Sequence, residues 1–184
     1  MSVARFVAVG AGRMRRSIAT AFAYAGRRVA VVDLRPRTPA QWQTLQQEAL
    51  AEVRASLNSL AELGAFPAAQ VEAIVARVSW VNEADADAAL AQAEMVFEGV
   101  PETMAAKQTA LARIGAACRP DAIITSTTSS SCCEGSTTLL LLCHKHTIFI
   151  LIIIKIQNTI GHYCIIIMSF YCKFTSSNWA CNFL

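Results

Sequence analysis

Charge is scarce in this 184-residue chain. Asp, Glu, Lys and Arg make up 16% of it, and the formal net charge is only +3. So small an excess excludes the electropositive groove that a nucleic-acid partner needs. Against that shortage stand 54% hydrophobic residues, which exclude a wholly disordered chain and provide ample apolar surface for a core. No secretory leader is expected either. The first five residues run straight into Phe6-Val7-Ala8-Val9, which Gly10 ends, short of the ~7–15 apolar residues and cleavage site of a signal peptide. Cysteine is nearly absent from residues 1–130, where Cys118 stands alone, and that suits a reducing, cytoplasmic setting.

Two vocabularies meet near residue 130. Residues 1–130 hold 31 Ala, 12 Arg and one Lys, whereas 131–184 hold one Ala, no Arg, three Lys, six Cys and ten Ile. Residues 1–130 are therefore read as one folding unit. The stretch 131–184 is read as an atypical apolar tail and not a native domain. Its composition is that of translated non-coding sequence, from intron read-through or a frameshift, beginning at about Ser130. Sequencing the transcript across that point tests this reading.

Within the tail, Cys132, Cys133, Cys143, Cys164, Cys172 and Cys181 form no recognisable disulfide framework. Cys132, Cys133, Cys143, His144 and His146 invite a metal reading, but two adjacent cysteines suit one tetrahedral site poorly, and no metal is expected. Lys145 and Lys155 leave nine uncharged residues between them, against about 20 for a lipid-spanning helix, so no membrane span is expected. Tail alternation is too poor to assign a strand and β-branching too heavy to assign a helix.

Residues 1–130 alternate short apolar runs with Ala-rich helical stretches. Strands are predicted at Arg5–Val9, Arg28–Val32, Val78–Val81, Met95–Glu98 and Ala122–Thr125. Helices are predicted at Met14–Ala25, Gln41–Leu63, Pro67–Ala76, Asp85–Ala93 and Glu102–Ala117. Such alternation implies an α/β fold: a Rossmann-type, doubly wound parallel sheet with a long helical insertion after its second strand. The working edge of that sheet lies at the carboxyl ends of its strands.

Gly10-Ala11-Gly12-Arg13-Met14-Arg15 falls between the first strand and the first helix. In a dinucleotide fingerprint the first glycine allows a tight turn and the second lets backbone approach a pyrophosphate. The third lets helix and strand pack closely. The helix start then offers free N–H groups to the phosphates. Asp33 follows Gly10 by 23 residues, at the end of the second strand, where an acid accepts hydrogen bonds from ribose hydroxyls and repels a 2′-phosphate. That favours NAD, with Arg35 and Arg37 as the opposing signal. Arg15 stands where the third glycine belongs. Either it overpacks the helix–strand contact, at ~1–3 kcal/mol, or it swings outward beside Arg13 and Arg16. Weakened cofactor binding is the expectation.

With these residues in view, 1–130 resembles the NAD-binding domain of the L-3-hydroxyacyl-CoA dehydrogenase family, which includes 3-hydroxybutyryl-CoA dehydrogenases and lambda-crystallin. The resemblance rests on Val9-Gly10-Ala11-Gly12, Asp33, the insertion Gln41–Ala76, Phe97-Glu98-Gly99-Val100-Pro101-Glu102 with Lys107, and Thr125-Ser126-Thr127-Thr128-Ser129. It implies oxidation of the 3-hydroxyl of an acyl-CoA by NAD, in fatty-acid metabolism, by a homodimer. By the same likeness Gly10, Ala11, Gly12, Arg13, Met14 and Asp33 would hold NAD. Glu98, Glu102 and Lys107 would lie around the nicotinamide-side ribose and its support. Ser129 would match the serine that hydrogen-bonds the reacting oxygen of the substrate.

The family also uses a histidine base oriented by a glutamate, in a His-Phe-Phe-Asn-Pro-like stretch beyond the serine. Here that region reads Phe149-Ile150-Leu151-Ile152-Ile153-Ile154, and His144, His146 and His162 have no such neighbours. The family's helical, dimer-forming C-terminal domain has no counterpart either, so the chain is expected to be truncated and inactive. Two other readings stay open: a non-enzymatic, crystallin-like nucleotide-binding domain, and a domain tethered to a membrane through Leu139–Phe170.

Overall fold

The computed structural model describes residues 4–101, 103–126, 147–157, 163–175 and 178–183. Five strands open the sheet: Phe6–Val9 (β1), Val29–Val32 (β2), Val78–Val81 (β3), Met95–Glu98 (β4) and Ile123–Ser126 (β5). Between them run the helices Arg13–Tyr24 (α1), Pro39–Glu62 (α2), Val71–Val75 (α3), Ala86–Ala91 (α4) and Met104–Ala117 (α5). The five strands are parallel, in the order β3-β2-β1-β4-β5. The chain steps outward from β1 to β3, then crosses back to lay β4 on the other side of β1. A crevice therefore opens between the carboxyl ends of β1 and β4, the switch point where α/β sheets bind ligands.

Alternate residues of each strand feed two cores. Val7, Val9, Val32, Val96 and Ile124 pack with Leu90 of α4 and Leu111 and Ile114 of α5 on one face. Ala8, Val29, Val31 and Phe97 pack on the other face with Ile18 of α1, Leu57 of α2 and Ile74 of α3. Coverage of both faces explains why β2 is four apolar residues without alternation, all of them buried.

Element boundaries differ from the sequence-based expectation where caps decide them. Helix α2 begins at Pro39, two residues before the predicted Gln41. The Thr38 hydroxyl accepts from the Gln41 N–H while the Gln41 side chain accepts from the Thr38 N–H, with Pro39 opening the first turn. Helix α5 begins at Met104 and not at Glu102, because Thr103 is the extended capping residue and accepts from the Ala106 N–H. The predicted helix from Pro67 is a 3₁₀ turn, Ala68–Gln70, followed by the five-residue α3.

Beyond β5, where the sequence pattern supported neither strand nor helix, the backbone forms three more strands. These are Thr147–Gln157 (β6), Tyr163–Thr175 (β7) and Asn178–Phe183 (β8). β6 pairs parallel with β5, and β7 and β8 follow antiparallel. A run such as Ile148–Ile154 has no period to reveal its type, yet its β-branched residues suit a strand. Among the described residues no helix is long and apolar enough to cross a membrane.

Candidate cofactor site

Gly10 leaves β1 with φ +105°, a conformation open to glycine and strained for other residues. Its N–H donates to the Val32 carbonyl at 2.7 Å, which ties the turn to the end of β2. Gly12 then caps α1 from extended backbone with no side-chain hydrogen bond. The Arg15 and Arg16 amides donate to the Gly12 carbonyl, which leaves those of Arg13 and Met14 without an intrahelical partner. The first turn carries Arg13, Arg15 and Arg16 and no acid, an arrangement that the helix dipole opposes until an anion offsets it.

A cleft of about 390 Å³ opens over this turn. Gly10, Ala11, Gly12 and Arg15 line one side, Asp33, Leu34, Arg35 and Arg37 another, and Val100 and Pro101 close it from the loop after β4. Of the residues expected to hold a cofactor, Gly10, Ala11, Gly12 and Asp33 meet here. Arg13 and Met14 are exposed and do not line the cleft.

Arg15 does not swing outward. Its side chain turns in across the switch point and lies over the glycines. A Cβ on Gly99 would stand 2.5 Å from the Arg15 Cδ and Nε, and one on Gly10 would stand 3.0 Å from Nε. Gly99 is thus a position the sequence reading left without a role: its missing Cβ is the space through which Arg15 passes. Among the described residues the buried Arg15 Nε has no hydrogen-bond partner. Burial pushes the pKa of this guanidinium down from its ordinary value; the Glu98 carboxylate opposes that, and Arg35 adds to it.

Asp33 is buried at the end of β2 and is already engaged. Its Oδ2 accepts from the Arg37 Nε at 2.5 Å, and its Oδ1 accepts from the Arg35 N–H at 3.3 Å. Glu98, fully buried at the end of β4, is more completely enclosed. It accepts from the Val100 N–H at 2.7 Å, from the Lys107 Nζ at 3.2 and 3.3 Å, and from the Ser126 hydroxyl at 2.5 Å. Lys107 is 2% exposed, so this is a buried ion pair joining β4 to α5 and β5. Ser126 was missed as a partner because its proximity comes from the pairing of Glu98 with Ser126 across β4 and β5. No local sequence signal carries that information. Glu102 and Ser129 lie outside the described residues, as do Cys132, Cys133, Cys143, His144 and His146. Among the described residues no group of three or more His, Cys, Asp or Glu side chains could hold a metal.

A glycine turn at the switch point, a helix start that has no side-chain cap and is rich in cations, and an acid ending β2 define a dinucleotide-binding domain. Residues 6–135 match the family described as the NAD binding domain of 3-hydroxyacyl-CoA dehydrogenase, and the chain belongs to that family. It is similar to (S)-3-hydroxybutyryl-CoA dehydrogenase PaaH1 from Ralstonia eutropha at 25% identity and a TM-score of 0.65, over 82% of this chain and 50% of that one. The fold also matches 3-hydroxybutyryl-CoA dehydrogenase from Escherichia coli, at 24% identity and a TM-score of 0.64, over 81% of this chain and 29% of that one. FadB2 of M. tuberculosis shares the fold at 21% identity and a TM-score of 0.67, over 84% of this chain and 50% of that one. The chain therefore spans half or less of the length of these structures. No curated protein matches it.

NAD is the cofactor of this family, and the residues present fit it unequally. The bare backbone of Gly10–Gly12, followed by the Arg13 and Met14 amides at the helix start and by positive charge, suits a diphosphate as it stands. The strip from Gly10 to Gly99 is crossed by Arg15, so a ligand reaching along it requires that side chain to turn aside.

Proposed function

We propose that this chain is the nucleotide-binding unit, residues 1–130, of a dehydrogenase that oxidises 3-hydroxyacyl-CoA with NAD. In this reading the backbone of Gly10, Ala11 and Gly12 and the amides of Arg13 and Met14 take the diphosphate. Asp33 serves the adenine-side ribose. Glu98 and Lys107 brace the nicotinamide side, with Glu102 beside them, and Ser129 meets the substrate oxygen. When bound, NAD supplies a hydride acceptor; the chain's own residues bind and orient it. The cellular setting proposed is cytoplasmic fatty-acid metabolism, and a homodimer is proposed for the intact dehydrogenase and not for this chain alone.

The observation that carries this reading is the Gly10 turn, held at φ +105° against the end of β2, with Asp33 on the same edge. We further propose binding without turnover, since no histidine of the sequence has the neighbours of the family's base. Titrating the full chain with NAD, and following NADH formation with 3-hydroxybutyryl-CoA, tests both parts. Saturable NAD binding without NADH formation supports them. Absent binding removes the first part, and turnover removes the second.

A further inference from the structure

The adenine-ribose end of the cleft departs from what an NAD-selective acid should offer. An aspartate there discriminates against a 2′-phosphate by presenting free negative charge and open acceptors to the ribose. At Asp33 both are reduced: it is 3% exposed, its Oδ2 is paired with Arg37, and its Oδ1 accepts from the Arg35 amide. Arg37 spends only its Nε on this contact. A guanidinium has five N–H donors, and among the described residues no hydrogen bond uses the Nη groups of Arg37 or any part of the Arg35 guanidinium. Both arginines also line a neighbouring cavity of about 310 Å³, with Pro36, Pro39 and Trp42. Glu83, the acid in that cavity, is held by the Arg113 Nη1 at 2.6 Å. The two guanidinium groups thus stand in the wall between the cofactor cleft and an adjoining space, with a surplus of positive charge.

We propose that Arg37 and Arg35 make the cleft accept an adenine dinucleotide carrying a 2′-phosphate, NADP, as well as NAD. This rests on the cofactor reading above. Arg37 acts twice, neutralising Asp33 and turning its remaining donors toward the ribose 2′ position. The exposed Arg35 supplies the second cation. A phosphomonoester carries nearly two negative charges and accepts from arginine in a forked, charge-assisted geometry.

The test is calorimetric titration of the full chain with 5′-AMP, 2′,5′-ADP, 3′,5′-ADP and NAD. Binding of 2′,5′-ADP at least about tenfold tighter than 5′-AMP is expected, since hydrogen bonds to charged groups carry effects of that order. Arg37→Met and, separately, Arg35→Met should each shrink that preference; Arg35 is exposed, so its variant keeps the test open if Arg37→Met fails to fold. Equal affinity for 5′-AMP and 2′,5′-ADP while NAD binds overturns the inference and leaves the NAD reading standing. Equal affinity for 2′,5′-ADP and 3′,5′-ADP overturns the 2′ assignment. No binding by any of the four overturns inference and reading together.

Discussion

Replacing Lys107 by Met removes one charge from the least accessible polar cluster described in the protein. Lys107 is 2% exposed and Glu98 0%, and two of the four hydrogen bonds to the Glu98 carboxylate come from Lys107. Methionine matches the lysine stem in bulk, so the perturbation is electrostatic and leaves no cavity of consequence. The remaining donors, the Val100 N–H and the Ser126 hydroxyl, leave a buried carboxylate with no counter-charge. Breaking a buried pair in this way costs about 3–5 kcal/mol, and for a protein of this size each kcal/mol lowers Tm by roughly 2–4 °C. A fall of roughly 6–20 °C is therefore expected. Urea titration of wild type and variant, followed by far-ultraviolet circular dichroism, measures the difference directly. Glu98→Gln in the Lys107→Met background removes the stranded charge and should recover most of the loss, because replacing both members of a buried pair is often close to neutral. A loss under about 1 kcal/mol, or a double variant as unstable as the single one, would refute the idea that the pair holds β4, β5 and α5 together.

Arg15→Gly should tighten NAD binding several-fold in a calorimetric titration, because it clears the strip between Gly10 and Gly99; unchanged or weaker affinity counts against that role. Gly99→Ala should destabilise the fold by ~1–3 kcal/mol, since the new Cβ meets Arg15, and the penalty should largely vanish when Arg15→Gly is present. Thr38→Ala breaks the capping box of α2 and should cost about 1 kcal/mol by urea denaturation with no change in nucleotide affinity.

The sheet was legible because its strands are short apolar runs that glycine, aspartate and Ala-rich helices punctuate, and Val78–Val81 and Met95–Glu98 match their predicted bounds. Helix starts were less so. Thr38 and Thr103 settle them through single side-chain hydrogen bonds that hydrophobic period does not register. At the site, Gly10, Gly12 and Asp33 declared themselves by spacing. What spacing could not convey was direction: whether Arg15 turns in or out depends on the space over Gly99, 84 positions further along the chain. The capture of Asp33 by Arg37 and the meeting of Glu98 with Ser126 are likewise products of tertiary placement. In the tail, unbroken isoleucine runs gave periodicity nothing to measure, although the backbone there is extended.

Calorimetric titration of the purified full chain with NAD is the most direct test of the central claim, that the turn after β1 seats a nucleotide. Saturable binding that Gly10→Val abolishes is the predicted result, because a β-branched residue at φ +105° would distort the turn against Arg15 and the Gly99 carbonyl. A flat titration with NAD well into the millimolar range, on protein shown to be folded by circular dichroism, would contradict it.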